Sequence, residues 1–141
     1  MLVQDIMNRN VVCILSDTKI HEAAKVMVDN GIGCIIVKNN DDVSGIITER
    51  DIMKAVASES DLANMTVGDI MSRYVISIDP SATVDHAAQV MINNKIKKLP
   101  VMKNDQLVGI ITSTDIVATS PNMPKEVRGL LKKSISKITR H

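Results

Sequence analysis

The strongest constraint on the fold of this chain is an internal repeat with an offset of 64 residues. The second copy aligns with the first without a gap, and 22 of the 53 residue pairs beginning with Val3 and Val67 are identical. Self-similarity on this scale predicts one structural unit formed twice. The matching segments are 3-VQDIMNRNVVCI-14 with 67-VGDIMSRYVISI-78, 20-IHEAAKVMVDNGI-32 with 84-VDHAAQVMINNKI-96, and 37-VKNNDDVSGIITERDI-52 with 101-VMKNDQLVGIITSTDI-116.

Hydrophobic periodicity predicts the element order β-α-β-β-α in each copy. A D-I-M helical turn precedes the first strand, and an amphipathic helix follows that strand, with Thr18 and Thr83 as its predicted N-caps. A hairpin and a last helix complete the copy. Because one copy alone buries too little surface to be stable, we predict an α/β (α+β) fold in which both copies share a core with approximate two-fold symmetry. The predicted strands are Val11–Leu15, Cys34–Lys38 and Val43–Thr48, and in the second copy Val75–Asp79, Leu99–Met102 and Leu107–Thr112.

The composition narrows the class of protein. The chain has 141 residues, 45% of them hydrophobic, but Tyr74 is its one aromatic residue, so the core must be aliphatic side chains and methionine. No apolar run approaches the ~18 residues of a membrane span, and the N-terminus does not resemble a signal peptide. Two cysteines are too few for a disulfide scaffold, and no metal-site spacing is present. We therefore expect a cytoplasmic protein without a metal.

Residues 120–141 lie outside the repeat and are basic, with six Lys/Arg and one Glu after Ser120. Pro124 fits the first position of a helix. The simplest interpretation is a structural helix that packs on its own module or on a dimer partner. The alternatives are binding to anionic lipid, to nucleic acid, or to a partner protein. The helix would have an apolar stripe of Val127, Leu130, Leu131, Ile135 and Ile138, and basic residues Lys125, Arg128, Lys132, Lys133, Lys137 and Arg140.

The phrase G-I-I-T-x-x-D, at 45–51 and 109–115, carries the candidate chemistry. Each glycine allows another backbone or a ligand to approach the strand closely. Each threonine lies where a strand becomes a helix, a position suited to phosphate, and each aspartate can accept hydrogen bonds from ribose hydroxyls. The same spacing is also close to a helix capping box. Both roles remain open for Thr48, Asp51, Thr112 and Asp115.

The two variable letters of the phrase differ in charge. Arg50 could donate to a phosphate, whereas the second copy has Ser113 and Thr114. The first site is therefore predicted to bind phosphorylated ligands more tightly, unless Lys95, Lys97 or Lys98 compensates in the second. Both Arg50 and the lysines could instead be solvated surface charges.

The repeat, the D-I-M entry, the helix with paired alanines, the strand 99-LPV-101 and the closing phrase resemble a pair of CBS domains, the Bateman module, over residues 3 to about 118. The resemblance implies a regulatory, non-enzymatic module that binds AMP, ADP, ATP or S-adenosylmethionine in clefts between the repeats. It also implies a homodimer, a separate regulated protein, and no required cofactor. The expected domains are 1–60, 61–119 and the tail 120–141.

Two other functions remain as alternatives to nucleotide binding: a dimerisation module whose clefts stay empty, or nucleic-acid or membrane binding through the tail. The motif and the family resemblance together define the predicted ligand-binding residues. The predicted set is Thr18, Gly45, Thr48, Arg50, Asp51, Thr83, Lys98, Pro100, Gly109, Thr112, Thr114 and Asp115.

Overall fold

The computed structural model describes residues 1–58 and 61–131. The chain divides into two compact units. The first unit is Val11–Val75, and the second unit joins Met1–Asn10 to Ile76–His141. Within the described residues, no helix combines the length and apolar character needed to cross a membrane.

The secondary structure confirms the predicted α/β class, with the β-α-β-β-α order fully formed in the first copy. A 3₁₀ helix, Leu62–Asn64, links the copies, and residues 125–131 are helical. The elements are α1 (Val3–Ile6), β1 (Cys13–Leu15), α2 (Ile20–Asn30), β2 (Cys34–Asn39), β3 (Asp42–Thr48), α3 (Glu49–Ala57), α4 (Val67–Ile70), α5 (Val84–Asn94), β4 (Lys98–Lys103), β5 (Gln106–Thr112) and α6 (Ser113–Thr119).

The first unit is built on the sheet β1-β2-β3, in which β2 runs parallel to β1 and antiparallel to β3. Leu15 pairs with Lys38 beside the β2–β3 turn, and Cys34 pairs with Thr48 at the opposite end. The sheet packs on α2 and α4 through an aliphatic core, as the composition requires. The buried members of that core are Ala23, Met27, Ile35, Val37, Ile47 and Val67.

The second unit repeats the hairpin as β4 and β5, but the predicted strand Val75–Asp79 is wrong. Only one bridge, from Ile78 to Val101, lies at the place of β1. In the first copy the N–H of Ser16 extends the ladder by donating to Lys38 O at 3.0 Å. The repeat places Pro80 where Ser16 stands, and proline has no N–H to make this bond.

The two predicted N-caps have different outcomes. Thr83 is confirmed as the N-cap of α5, since its Oγ1 accepts from the N–H of His86 at 3.0 Å. The prediction for Thr18 is wrong, because Lys19 occupies the N-cap position of α2 and makes no side-chain capping bond. In the repeat Thr83 corresponds to Lys19, so Thr18 precedes the capping position by one residue.

Each D-I-M turn packs in the unit formed by the other copy of the repeat. α4 lies in the first unit, where Ser72 exchanges backbone hydrogen bonds with Ile46 of β3. α1 lies in the second unit, where Asn8 does the same with Ile110 of β5. The compact units therefore do not coincide with the contiguous repeats, and the sequence boundaries at 60/61 and 119/120 stay a prediction.

The described part of the basic tail docks on its own unit. The helix over 125–131 begins one residue later than predicted, with Pro124 O accepting from the N–H of Arg128 at 3.0 Å. Leu131 is 1% exposed and belongs to the core of the second unit, and Met123 and Val127 pack against that core. The remaining predicted tail residues, Lys132, Lys133, Ile135, Lys137, Ile138 and Arg140, lie outside the described residues.

Candidate functional site

The junction between β3 and α3 is closed by a reciprocal capping box. Asp51 Oδ2 accepts from the N–H of Thr48 at 2.9 Å and from its hydroxyl at 3.0 Å. The N–H of Asp51 donates to Thr48 Oγ1 at 3.2 Å. Both residues are half-buried, so these bonds fix the carboxylate at the start of the helix. The capping role considered for this pair is therefore confirmed.

The second copy forms the same box at the start of α6 with longer contacts. Asp115 Oδ2 accepts from the N–H of Thr112 at 3.3 Å, and the N–H of Asp115 donates to Thr112 Oγ1 at 3.1 Å. Among the described residues, no bond from the Thr112 hydroxyl to the Asp115 carboxylate is formed, unlike the bond between Thr48 and Asp51. The second carboxylate is held less tightly as a result.

Capping uses only part of the hydrogen-bonding capacity of each junction. The first N–H of α3, from Glu49, donates to Gly33 O at 3.0 Å, and the third, from Asp51, donates to Thr48. Among the described residues nothing accepts from the second N–H, that of Arg50, and nothing donates to Asp51 Oδ1. One donor and one carboxylate oxygen therefore remain for a ligand, fewer than the whole free first turn that the sequence suggested.

A small depression adjoins this carboxylate in the first unit. It has a volume of about 350 Å³ and is lined by apolar side chains together with the charged residues Asp51 and Lys54. An apolar wall beside a fixed carboxylate suits a ligand with one flat, weakly polar part and one hydroxyl-bearing part. The lining residues are Asp51, Lys54, Ala55, Ser58, Met65 and Ile70.

The two predicted glycines are explained by packing against the chain itself. A Cβ on Gly45 would lie 2.6 Å from both Met71 Sδ and Ser72 O, and one on Gly109 would lie 2.7 Å from Met7 Sδ. The methionine of each D-I-M turn thus lies against the glycine of the closing phrase. The close approach expected at these glycines is made by backbone and methionine.

The other predicted site residues are distributed over both ends of the sheets. Thr18 follows β1 near the β2–β3 turn, so within its unit it lies at the end opposite Thr48. Lys98 is the strand partner of Thr112 and is half-buried. Pro100 is buried, and its carbonyl accepts from the N–H of Ile78 at 3.0 Å. Arg50 and Thr114 are exposed beside the helix starts. Within each unit the structure therefore unites Thr48 with Arg50 and Asp51, and Lys98 with Thr112, Thr114 and Asp115.

The same capping box also occurs where no site is predicted. Asp69 Oδ2 accepts from the N–H of Thr66 at 2.9 Å and from its hydroxyl at 3.2 Å, at the start of α4. This explains the aspartate of the second D-I-M turn. Thr-x-x-Asp alone therefore does not identify a ligand site, and evidence from the rest of the sequence is needed.

Comparison with known proteins supplies that context. The family model for the CBS domain matches residues 3–58 and again residues 67–121. The chain belongs to the CBS-domain family. Two CBS domains in one chain correspond to the two copies of the repeat, so the resemblance drawn from the D-I-M and G-I-I-T-x-x-D segments is confirmed.

Two relatives match this chain over most of the length of both proteins. Hypoxic response protein 1 of Mycobacterium tuberculosis is 31% identical over 120 residues, which are 84% of this chain and 84% of that protein. The CBS pair of protein MJ0100, whose structure contains 5-methylthioadenosine and S-adenosyl-L-methionine, is 34% identical with a TM-score of 0.75. That alignment covers 84% of this chain and 94% of the other.

Other relatives carry the pair within longer proteins. Homoserine O-acetyltransferase of Methanosalsum zhilinae is 40% identical over 81% of this chain, but the match covers only 23% of the enzyme. Across the first three curated relatives, the chain spans between 23% and 59% of their length. The similarity therefore concerns the CBS pair, and the acetyltransferase name says nothing about catalysis by this chain.

Proposed function

We propose that this chain is a regulatory module that binds an adenosine-containing ligand at its Thr-x-x-Asp junctions. The finer proposal is AMP, ADP or ATP, with S-adenosylmethionine as a further candidate. The observation that carries the proposal is the carboxylate of Asp51, which is fixed through Oδ2 while Oδ1 accepts from no described residue. The ligands in the MJ0100 structure support it, because both contain adenosine.

The chemistry of the junction fits the parts of an adenine nucleotide. Oδ1 of a carboxylate has two lone pairs and can accept from the adjacent hydroxyls of a ribose. The N–H of Arg50 and its guanidinium can donate to a phosphate. The aliphatic side chains of Met65 and Ile70 beside Asp51 offer a wall for the adenine without aromatic stacking.

The proposed mode of action is non-enzymatic. The ligand would stabilise one conformation of the module by its differential affinity, and a separate regulated protein would recognise that conformation. We propose that the module acts in the cytoplasm as a homodimer, the commonest symmetric assembly. Light scattering at micromolar concentration tests the assembly, and a monomer would refute that part.

Ligand binding is tested by thermal shift and calorimetry with AMP, ADP, ATP, adenosine and S-adenosylmethionine. A ligand at 100 times its dissociation constant should stabilise the fold by about 2.7 kcal/mol. Asp51→Asn combined with Asp115→Asn should strongly reduce this shift, because the amide keeps one acceptor oxygen for the cap but loses the charge and the second oxygen that would accept from the ribose hydroxyls.

Asp69→Asn is the matched control for the binding test. It alters the same kind of capping box at α4 without changing a proposed ligand contact, so the ligand shift should persist. If no adenosine-containing ligand shifts the wild-type protein, the empty dimerisation module becomes the better interpretation. If the Asp69 variant loses the shift as well, the effect of the double variant reflects helix capping and not ribose recognition.

A further inference from the structure

A second depression in the first unit, here called the turn-end pocket, lies at the end of the sheet opposite Thr48 and Asp51. It has a volume of about 290 Å³ and lies beside the β2–β3 turn. This volume is at the lower limit of ordinary ligand pockets, so it suits a small metabolite. Six of its eight lining residues are polar or charged, namely Ser16, Asp17, Asn39, Ser44, Thr66 and Arg73.

The lining contains one acid and one base that do not pair with each other. The carboxylate of Asp17 bonds to no described residue, and Arg73 makes only a long contact, from Nη2 to Gly68 O at 3.4 Å. Lys38, beside Asn39, and Lys19, bridged to Thr66, do not line the pocket. Opposite charges that line one pocket without pairing are both available to a ligand that carries both charges.

The neutral side chains add hydrogen-bonding capacity around these charges. Among the described residues, nothing bonds to the hydroxyl of Ser16 or to the amide of Asn39. The hydroxyl of Ser44 donates to Val37 O at 3.2 Å and keeps its own lone pairs as acceptors. Donors and acceptors thus accompany the acid and the base, so the pocket favours a small polar ligand over an apolar one.

The fold does not require this polar lining, because the second unit has the same backbone contact with other side chains. The N–H of Gly68 donates to Ser16 O at 2.9 Å, and at the equivalent place the N–H of Gln4 donates to Pro80 O at 3.0 Å. At the lining positions only the first copy combines an acid with a base. The second copy has Pro80 for Ser16, Ser81 for Asp17, Lys103 for Asn39, Val108 for Ser44 and Leu2 for Thr66.

We propose that the turn-end pocket binds a small polar α-amino acid as its zwitterion. The guanidinium of Arg73 donates to the carboxylate of the amino acid, and the carboxylate of Asp17 accepts from its ammonium group. Ser16 and Asn39 bond to its polar side chain. This site is separate from the Thr-x-x-Asp junctions, so it gives the module a second and chemically different input.

Binding is tested by titrating the ¹⁵N-labelled wild-type chain with L-serine, L-asparagine and L-glutamine. At least one of them should shift the backbone amide resonances of Ser16, Ser44 and Gly68 saturably and leave those of Thr48 and Asp51 in place. Analogues of the bound amino acid that lack one charged group should bind about tenfold more weakly, because one charge of the pocket stays unpaired. For L-serine these analogues are ethanolamine, without the carboxylate, and 3-hydroxypropionate, without the amino group.

Two variants test the assigned contacts by calorimetry. Asp17→Asn and Arg73→Gln should each weaken amino-acid binding about tenfold. Both side chains are exposed, so the variants should retain the circular dichroism spectrum of the wild type. Arg9→Gln is the matched control, because Arg9 aligns with Arg73 in the repeat but belongs to the second unit, and this variant should bind unchanged.

Three results would overturn the proposal. The first is the absence of a shift with any of the three amino acids. The second is an analogue that binds as tightly as the amino acid, and the third is an equal loss in Arg9→Gln and Arg73→Gln. Asp51→Asn should leave amino-acid binding unchanged, so failure at this pocket leaves the proposed adenosine site standing.

Discussion

The unequal capping boxes predict that two equivalent aspartates contribute differently to stability without ligand. Asp51→Ala removes an acceptor for two donors, at 2.9 and 3.0 Å, and leaves the N–H and hydroxyl of Thr48 without their partner. Asp115→Ala removes an acceptor for one donor at 3.3 Å. The loss should therefore be larger in the first copy, although the motif is identical.

The magnitudes follow from these contacts. Each hydrogen bond contributes a net of roughly 0.5–1.5 kcal/mol, and an acidic residue in the first turn of a helix adds roughly 0.3–1 kcal/mol through the helix dipole. Because both aspartates are only half-buried, we expect about 1.5–2 kcal/mol for Asp51→Ala and about 0.5–1 kcal/mol for Asp115→Ala. Urea denaturation followed by circular dichroism, with nucleotide removed, measures the free energy of unfolding of each variant.

Two results would refute this reasoning. One is an Asp115→Ala variant that loses as much stability as Asp51→Ala, because hydrogen-bond number and length would then not set the cost. The other is a loss below about 0.3 kcal/mol in both, which would make the capping boxes energetically irrelevant. The Asn variants should lie between wild type and Ala, since the amide oxygen can still cap the helix.

Three further predictions concern positions outside the ligand contacts. In urea denaturation, Gly45→Ala should destabilise the fold by about 1–3 kcal/mol, because the added methyl group would meet a methionine and a backbone carbonyl. Gly129 lies on a helix with open space around it, so Gly129→Ala should be neutral or stabilise the fold by up to ~1 kcal/mol. Leu131→Ala should cost about 2–5 kcal/mol by the same measurement, because this side chain is buried in the core. Hydrogen bonds from the hydroxyl and N–H of Ser81 lower the pKa of Asp79, so Ser81→Ala should raise that pKa in an NMR titration. The Asp79 contribution to stability is present above the unfolded-state pKa and is lost as the pH falls through the lowered folded-state value, so an unchanged pKa in the variant would refute the assigned cause.

The repeat made the element types predictable, because both copies had to satisfy the same hydrophobic pattern. The hairpins and the helices after Thr48 and Thr112 formed where periodicity placed them. The exception was the strand expected at Val75–Asp79. Pro80, which stands where the first copy has Ser16, removes a backbone donor from the strand ladder there. The prediction assumed that both copies form the same strands, so it overlooked the effect of this one substitution.

The contacts at the candidate site were only partly predictable from the sequence. The spacing of Thr48 and Asp51 suggested both capping and ligand binding. The structure shows the capping, in which one carboxylate oxygen of Asp51 takes part while the other accepts from no described residue. Alignment of the copies also shows Gly33 replaced by Lys97 and Glu49 replaced by Ser113, but only the structure places the Glu49 side chain against Gly33.

The packing of the D-I-M turns could not be predicted from either copy alone. Both Met7 and Met71 align in the repeat, and each contacts a glycine of the closing phrase, but Met71 of the second copy meets Gly45 of the first. The local sequence is equally compatible with a methionine that packs on the glycine of its own copy, so the alignment does not show that Met71 packs on the other copy.

This packing between the copies constrains the glycine of the closing phrase, in addition to the capping that constrains its Thr and Asp. Its glycine is fixed by the fold and its Thr and Asp by capping, so within the phrase the two copies differ only at the two positions before the Asp.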